Sequence, residues 1–313
     1  MSGKVKYLFA IAGALALAFG CVGCDNKPKK RVQQTTDYVF RVPNVPPVLQ
    51  GELAMEYARR HIWDGFDFQD TLQLERLDKR MLTQAFAYYV GMVRSTDAEE
   101  PMQDLMRRAA TSKPMLEYFT GLAEFILHDP NSPLRDDEKY IPVLEFVLSS
   151  PLLDESEKMP YESDLHIAKQ NRVGGVANDF IYTMADGSKR RMSKCKADYI
   201  LIFISNPGCP MYRDVRQQIE ASELLSEMVR QGEMNVLVIY PDEDLAAWRE
   251  SLPEYPAVWI NGYDADQRIS RDRLYDLRAI PALYLLDKEK RVLAKDCTDV
   301  GYIEELILNS QGL

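Results

Sequence analysis

Apolar residues recur at helical spacing from Pro47 to about Lys169. Leu49, Leu53 and Tyr57 fall on one face, and Met81, Leu82, Ala85, Phe86, Tyr89, Met92 and Val93 form a longer stripe. Leu105, Met106 and Ala109 follow, then Met115, Phe119, Leu122, Phe125 and Ile126, then Ile141, Leu144, Val147 and Leu148. Stop signals separate these stripes at Ser112-Lys113-Pro114, at His128-Asp129-Pro130-Asn131-Ser132-Pro133 and at Ser150-Pro151. The pattern predicts an all-helical domain over residues 47–170, with about five or six short helices and no fixed-period repeat.

The period changes after Asn171-Arg172-Val173-Gly174-Gly175. Phe180-Ile181-Tyr182-Thr183 and Arg190-Arg191-Met192 flank Ala185-Asp186-Gly187-Ser188, which is a hairpin signal. Buried-type strands are expected at Tyr199–Ser205, Asn235–Tyr240, Val258–Asn261, Ala282–Leu286 and Arg291–Lys295. Between them the spacing predicts one long amphipathic helix from Pro210 to about Arg230, a helix near Leu245–Ser251 and a helical turn near Asp272–Leu277. A last helix is expected over Asp299–Leu308. The chain therefore reads as an α+β protein of two domains, with an α/β domain over residues 171–313.

Composition adds a location. Lys4 and Lys6 precede a thirteen-residue apolar or small run from Tyr7 to Phe19, too short to span a bilayer but suited to a signal peptide over residues 1–20. Ala18-Phe19-Gly20-Cys21 resembles a loosely matched lipobox, so Cys21 is the expected lipid-modified residue, with Cys24 the alternative. An ordinary secretory signal cleaved near Gly20 is the other reading. Residues 21–46 are polar and proline-bearing and read as a flexible tether. Loss of residues 1–20, which hold two lysines and no acid, takes the net charge from −10 to −12, a balance that argues against a nucleic-acid partner.

The stretch carrying chemistry is Ile200-Leu201-Ile202-Phe203-Ile204-Ser205-Asn206-Pro207-Gly208-Cys209-Pro210-Met211-Tyr212, an apolar strand running into a cysteine before a helix. A thiol at a helix N-terminus faces unpaired N–H groups that favour its thiolate, and Pro210 suits a first turn that needs no N–H partner. About seventy residues on, Ala279-Ile280-Pro281-Ala282-Leu283 puts a proline just before another strand. These features, in this order, resemble the thioredoxin fold, with an extra N-terminal hairpin as in TlpA-type members. The whole chain resembles a family of uncharacterised Bacteroidetes lipoproteins joining a helical domain to a thioredoxin-like domain. The residues carrying this are Ile62 to Phe68, Asp129 to Arg135, Asp179-Phe180 with Asp186-Gly187, Asn206 to Cys209, and Leu277 to Pro281. The resemblance implies a cis Ile280–Pro281 bond and a substrate groove formed by Pro210, Tyr212, Ile280 and Pro281.

The departures limit the chemistry. Tyr212 stands where a thioredoxin has its resolving cysteine, and Phe203 where the family has a buried acid. His61, His128 and His166 all fall within residues 47–170, so a Cys–His pair inside the second domain is not expected. Cys297 is expected where the last strand ends, in a loop that the resemblance places beside the active site, which makes it the candidate resolver for Cys209. Cys195 lies a strand length away, roughly 20 Å, and cannot serve. Asp64, Asp67 and Asp70 read as a helix entry, the Tyr88, Tyr89 and Met92 stripe as core, and Asp242-Glu243-Asp244 as a helix N-terminal cluster. Trp63, Phe66 and Phe68 are candidate anchors for the other domain or a partner. No metal site or cofactor is expected. Three readings follow. The first is a lipid-anchored periplasmic binding module for protein or peptide segments, bearing Cys209 as a reactive thiol. The second is a thiol–disulfide oxidoreductase using Cys209 with Cys297 or a partner thiol, and the third a purely structural envelope protein.

Overall fold

The structure, a computed structural model, describes residues 40–208 and 210–311. The segment expected to be a signal peptide, Cys21, Cys24 and Cys209 therefore lie outside the described residues. The chain folds as two compact units, with the boundary between Leu165 and His166.

The first unit holds helices α1 (Gly51–His61), α2 (Gln73–Arg76), α3 (Lys79–Met92), α4 (Glu99–Ala109), α5 (Lys113–Ala123), α6 (Asp137–Ser149) and most of α7 (Glu155–Ala168). Their starts are set by side chains that accept otherwise unpaired N–H groups: Asp78 from Arg80, Ser112 from Met115, and Asp136 from Glu138 and Lys139. Two expectations fail here. Leu53 is 62% exposed, and Ala58 is the buried residue of α1. A π-helical segment at Glu124–His128 rotates the stripe that α5 begins, so Phe125 turns to solvent while Ile126, Leu127 and His128 are buried. Trp63, Phe66 and Phe68 are not exposed anchors. All three are buried around Phe119, with ring centroids 5.2–5.6 Å from it, and form this unit's own core.

In the second unit a seven-stranded sheet runs in the order β2-β1-β5-β4-β3-β6-β7. The strands are β1 (Ile181–Met184), β2 (Lys189–Arg191), β3 (Tyr199–Ile204), β4 (Met234–Tyr240), β5 (Ile260–Tyr263), β6 (Ala282–Asp287) and β7 (Val292–Cys297). Strands β3, β4 and β5 are parallel, and the other pairings are antiparallel. Helices α8 (Pro210–Ala221), α9 (Glu223–Gln231), α10 (Leu245–Ser251), α11 (Arg268–Arg271) and α12 (Val300–Gln311) connect or cover it. The run of apolar residues in β3 follows from burial on both faces. Leu201 and Phe203 pack with Val215, Ile219 and Ile303, while Ile200, Ile202 and Ile204 pack with Tyr275, Tyr284 and Phe180.

The long helix expected from Pro210 to Arg230 is two helices. Ser222 leaves helical geometry (φ −67°, ψ 115°), caps α9 by accepting from Leu225 N at 3.0 Å, and donates to Glu304 of α12. Strand β5 begins two residues later than expected because a turn from Pro256 to Trp259 precedes it. The helical turn expected at Asp272–Leu277 sits at α11 instead, where buried Asp264 accepts from Ile269 N at 2.7 Å. Among the described residues no helix is long and apolar enough to cross a membrane.

Candidate functional site

Strand β3 ends at Ile204, and four residues before Cys209 the chain is already pinned. Ser205 is buried, its N–H donates to Ile239 O at 3.0 Å, and its hydroxyl lies 3.3 Å from Tyr255 Oη. Asn206 then works in two directions. Its Oδ1 accepts from Gly208 N at 2.9 Å, closing an Asx turn, and its Nδ2 donates to Asp242 Oδ2 beyond the end of β4. Asp242 thus holds the loop, a role the sequence did not show, while Asp244 caps α10 as expected, accepting from Ala246 N and Ala247 N at 3.1 Å. Helix α8 starts at Pro210, the residue that follows Cys209, and Pro210 is exposed.

Tyr212 does not line a groove. It is 1% exposed, and its ring stacks on Phe203 with centroids 6.1 Å apart and planes 13° apart. Tyr255 meets it edge-on at 5.8 Å, and the Arg216 guanidinium carbon lies 5.8 Å from its centroid. Its hydroxyl donates to Glu254 Oε2 at 3.3 Å. Burial foremost, then Tyr255 and the Glu254 charge, push its phenol well above the usual tyrosine range. The two positions that depart from the thioredoxin pattern therefore pack against each other. Their two aromatic rings stack in the core of this unit.

The Ile280–Pro281 bond is cis, as the resemblance implies. Pro281 is buried and Ile280 half-buried, leading directly into β6, whose Ala282 pairs with Ile204 at the end of β3. The loop before it is held by Arg278, whose guanidinium donates to both oxygens of Asp276, at 3.0 and 3.1 Å from Nε and 2.6 Å from Nη2. Asp276 is 5% exposed, so the carboxylate end of this fork is removed from water while Arg278 stays exposed. Asp276 was not singled out from the sequence, and Arg278 entered there only within the Leu277–Pro281 match, not as the partner of an acid two residues before it.

Cys297 ends β7 opposite Leu283, two residues beyond Pro281, and is free and half-buried. Its Sγ donates to Leu283 O at 3.8 Å. Burial, reinforced by Asp296 and Asp299, pushes its thiol up to about 12. A thiol so raised is almost wholly protonated near neutral pH and is a weak nucleophile. Cys195 is also free and half-buried, with its thiol raised mainly by burial. It precedes β3, at the opposite end of that strand from the Ser205–Gly208 loop. His166, at the end of α7, groups with the second unit and lies 3.2 Å from Gln170 Nε2. No cluster of three or more potential metal ligands occurs among the described residues. Neither of two surface grooves in this unit, of about 460 and 570 Å³, is lined by Pro210, Tyr212, Ile280 or Pro281.

Comparison with solved structures decides the family. A thioredoxin-like protein from Bacteroides caccae is 38% identical to the chain, superimposes with a TM-score of 0.82, and matches over 87% of this chain and 99% of its own. The chain belongs to the family of this Bacteroides thioredoxin-like protein. Within this family the second unit is the thioredoxin-like part, and residues 23–171 match a family described as a domain of unknown function, DUF5106. The C-terminal domain of an uncharacterised Bacteroides fragilis protein is 41% identical over 44% of this chain and 98% of its own, with a TM-score of 0.43. The thioredoxin domain of a Bacteroides vulgatus thiol-disulfide oxidoreductase is 17% identical over 44% of this chain and 98% of its own, with a TM-score of 0.39. No curated protein matches the chain.

Proposed function

We propose that this thioredoxin-like protein is a thiol-bearing binding module of the bacterial cell envelope, anchored by lipid on Cys21 or Cys24 and facing the periplasm. Its partners are protein or peptide segments that lie along the strand entered through the cis Ile280–Pro281 bond. In the covalent step, the Cys209 thiolate attacks one sulfur of a partner disulfide. The partner S–S bond breaks, a mixed disulfide forms, and the second partner sulfur leaves as a thiolate. That thiolate can reverse the step, so no electrons are gained or lost overall.

The observation that carries this reading is the Phe203–Tyr212 stack. It fills the places of the buried acid and the resolving thiol with apolar packing, which supports capture without turnover. Among the described residues, Cys297 is the only cysteine beside the strand that Pro281 enters, and its raised thiol disfavours it as resolver.

Insulin reduction by wild-type protein and Cys209→Ser tests the reading. Capture predicts stoichiometric mixed disulfide on Cys209 and no catalytic insulin reduction by either form. Multiple turnovers by wild type, lost in Cys209→Ser, would replace the module with an oxidoreductase. For the anchor, detergent-phase partition should survive in wild type and be lost in the Cys21→Ser/Cys24→Ser pair. Retention in the aqueous phase by wild type would leave only a secreted protein.

A further inference from the structure

At the far end of the sheet from the Ser205–Gly208 loop lies a groove of about 570 Å³ that the proposed capture of partner thiols does not use. It opens where β3 and β4 begin, and its cationic lining comes from one short segment: Lys189, Arg190, Arg191, Lys194 and Lys196. No acid lines it, although the chain as a whole carries a net charge of −10.

The cations differ in what already neutralises them. Lys189 pairs with Asp266 at 3.4 Å and Arg191 with Asp179 at 2.9 Å. Arg190, Lys194 and Lys196 are exposed and form no ion pair with any described residue. Three like charges gathered in one concavity repel one another, and a bound anion relieves that repulsion.

The floor is apolar. Ile181, Ile260 and the ring of Tyr182 line it. The Tyr182 ring crosses so close to β5 that a Cβ on Gly262 would sit 2.5 Å from Tyr182 Cδ2. Glycine at 262 thus leaves the room that the ring occupies beside the strand. Tyr182 itself is buried, and burial foremost pushes its phenol up to about 12, so it stays neutral beside the groove. A small-molecule site commonly combines a volume in this range with an apolar floor and few polar groups.

We propose that this groove binds a small amphipathic dianion, a phosphate monoester on an aromatic or apolar body. The body lies on the half-buried Ile181 and Ile260, backed by the buried Tyr182, and the phosphate reaches Arg190, Lys194 and Lys196. A phosphate monoester carries nearly two negative charges at neutral pH, which matches three cations without ion-pair contacts, of which only Arg190 feels a nearby carboxylate, Asp186, better than a single carboxylate does. A soluble ligand is favoured over a lipid headgroup because the site is concave and has its own apolar floor.

Cys195 also lines the groove and serves as a built-in reporter. The full chain is titrated with 1-naphthyl phosphate by calorimetry, and maleimide labelling of Cys195 is followed by peptide mass spectrometry. Saturable binding is expected, with labelling slowed at least threefold. Affinity should fall more than about tenfold in Arg190→Gln/Lys194→Gln/Lys196→Gln, and should fall in wild type as salt rises from about 50 to about 500 mM. Neutral 1-naphthol should not protect. The assignment is overturned by absence of binding at millimolar ligand, by equal protection from naphthol, or by salt-independent affinity. An unchanged affinity in the triple variant, shown folded by circular dichroism, also overturns it. Protection by phosphatidic acid vesicles but not by naphthyl phosphate would reassign the site to a membrane surface.

Discussion

Replacing Tyr212 by alanine removes a ring that is 1% exposed and held between Phe203, Tyr255 and Arg216. Truncation of a buried aromatic to alanine costs about 3–5 kcal/mol, from lost burial and the cavity left behind. The hydroxyl contributes much less. It meets Glu254 at 3.3 Å, and the Glu254 side chain is 48% exposed, so water replaces that bond readily. Tyr212→Phe should therefore cost about 0.5–1 kcal/mol. Urea unfolding of the full chain, followed by near-ultraviolet circular dichroism and fitted for the transition of the second unit, measures both. A cost for Tyr212→Ala under about 1 kcal/mol would show that the ring is not part of the core. Equal costs for the two variants would shift the weight to the hydroxyl. Either result undermines the claim that packing has taken over this position. The same figure constrains engineering: Tyr212→Cys restores a two-cysteine spacing but loses most of the ring's contribution, so any gained insulin reduction must be read well below the unfolding midpoint.

Other consequences are more local. Arg278→Ala leaves the 5%-exposed Asp276 without its guanidinium fork and should cost about 2–3 kcal/mol in urea unfolding, whereas Arg278→Lys should recover only part of it. Ser222→Ala removes the α9 cap and a donor to Glu304, for about 1 kcal/mol; a loss below about 0.3 kcal/mol would mean the two helices merge without penalty. The Cys297 thiol, raised from 9.0 to about 12, stabilises the fold while protonated. That contribution is complete below about pH 9 and is lost as pH rises toward 12, because the unfolded chain gives up its proton first. Wild type should lose stability more steeply than Cys297→Ala between about pH 9 and 11. Parallel curves would place Cys297 in contact with water.

Much of the second unit was legible because its signals are local. The apolar run of β3 announces a strand covered on both faces and Asp186-Gly187 announces the hairpin turn, while the cis Ile280–Pro281 bond was expected from the thioredoxin resemblance and not from a local signal. Less local features were misread. Val215, Ile219, Leu225 and Met228 keep helical spacing straight through Ser222, so periodicity could not reveal the break between α8 and α9. The π-helical segment at Glu124–His128 likewise shifts the buried face without changing composition.

Sequence alone determined the thioredoxin-like element order, the cysteine before Pro210 and a tyrosine at position 212 in the first turn of the helix that follows. It could not tell whether Tyr212 faced a ligand or the core, because a tyrosine suits both. That was decided when β3 and the first turn of α8 brought Phe203 and Tyr212 face to face. The same holds for the basic groove, whose walls come from four separate strands and the loop before β3. Periodicity reports which side of one element is apolar; which sides meet depends on how the sheet assembles.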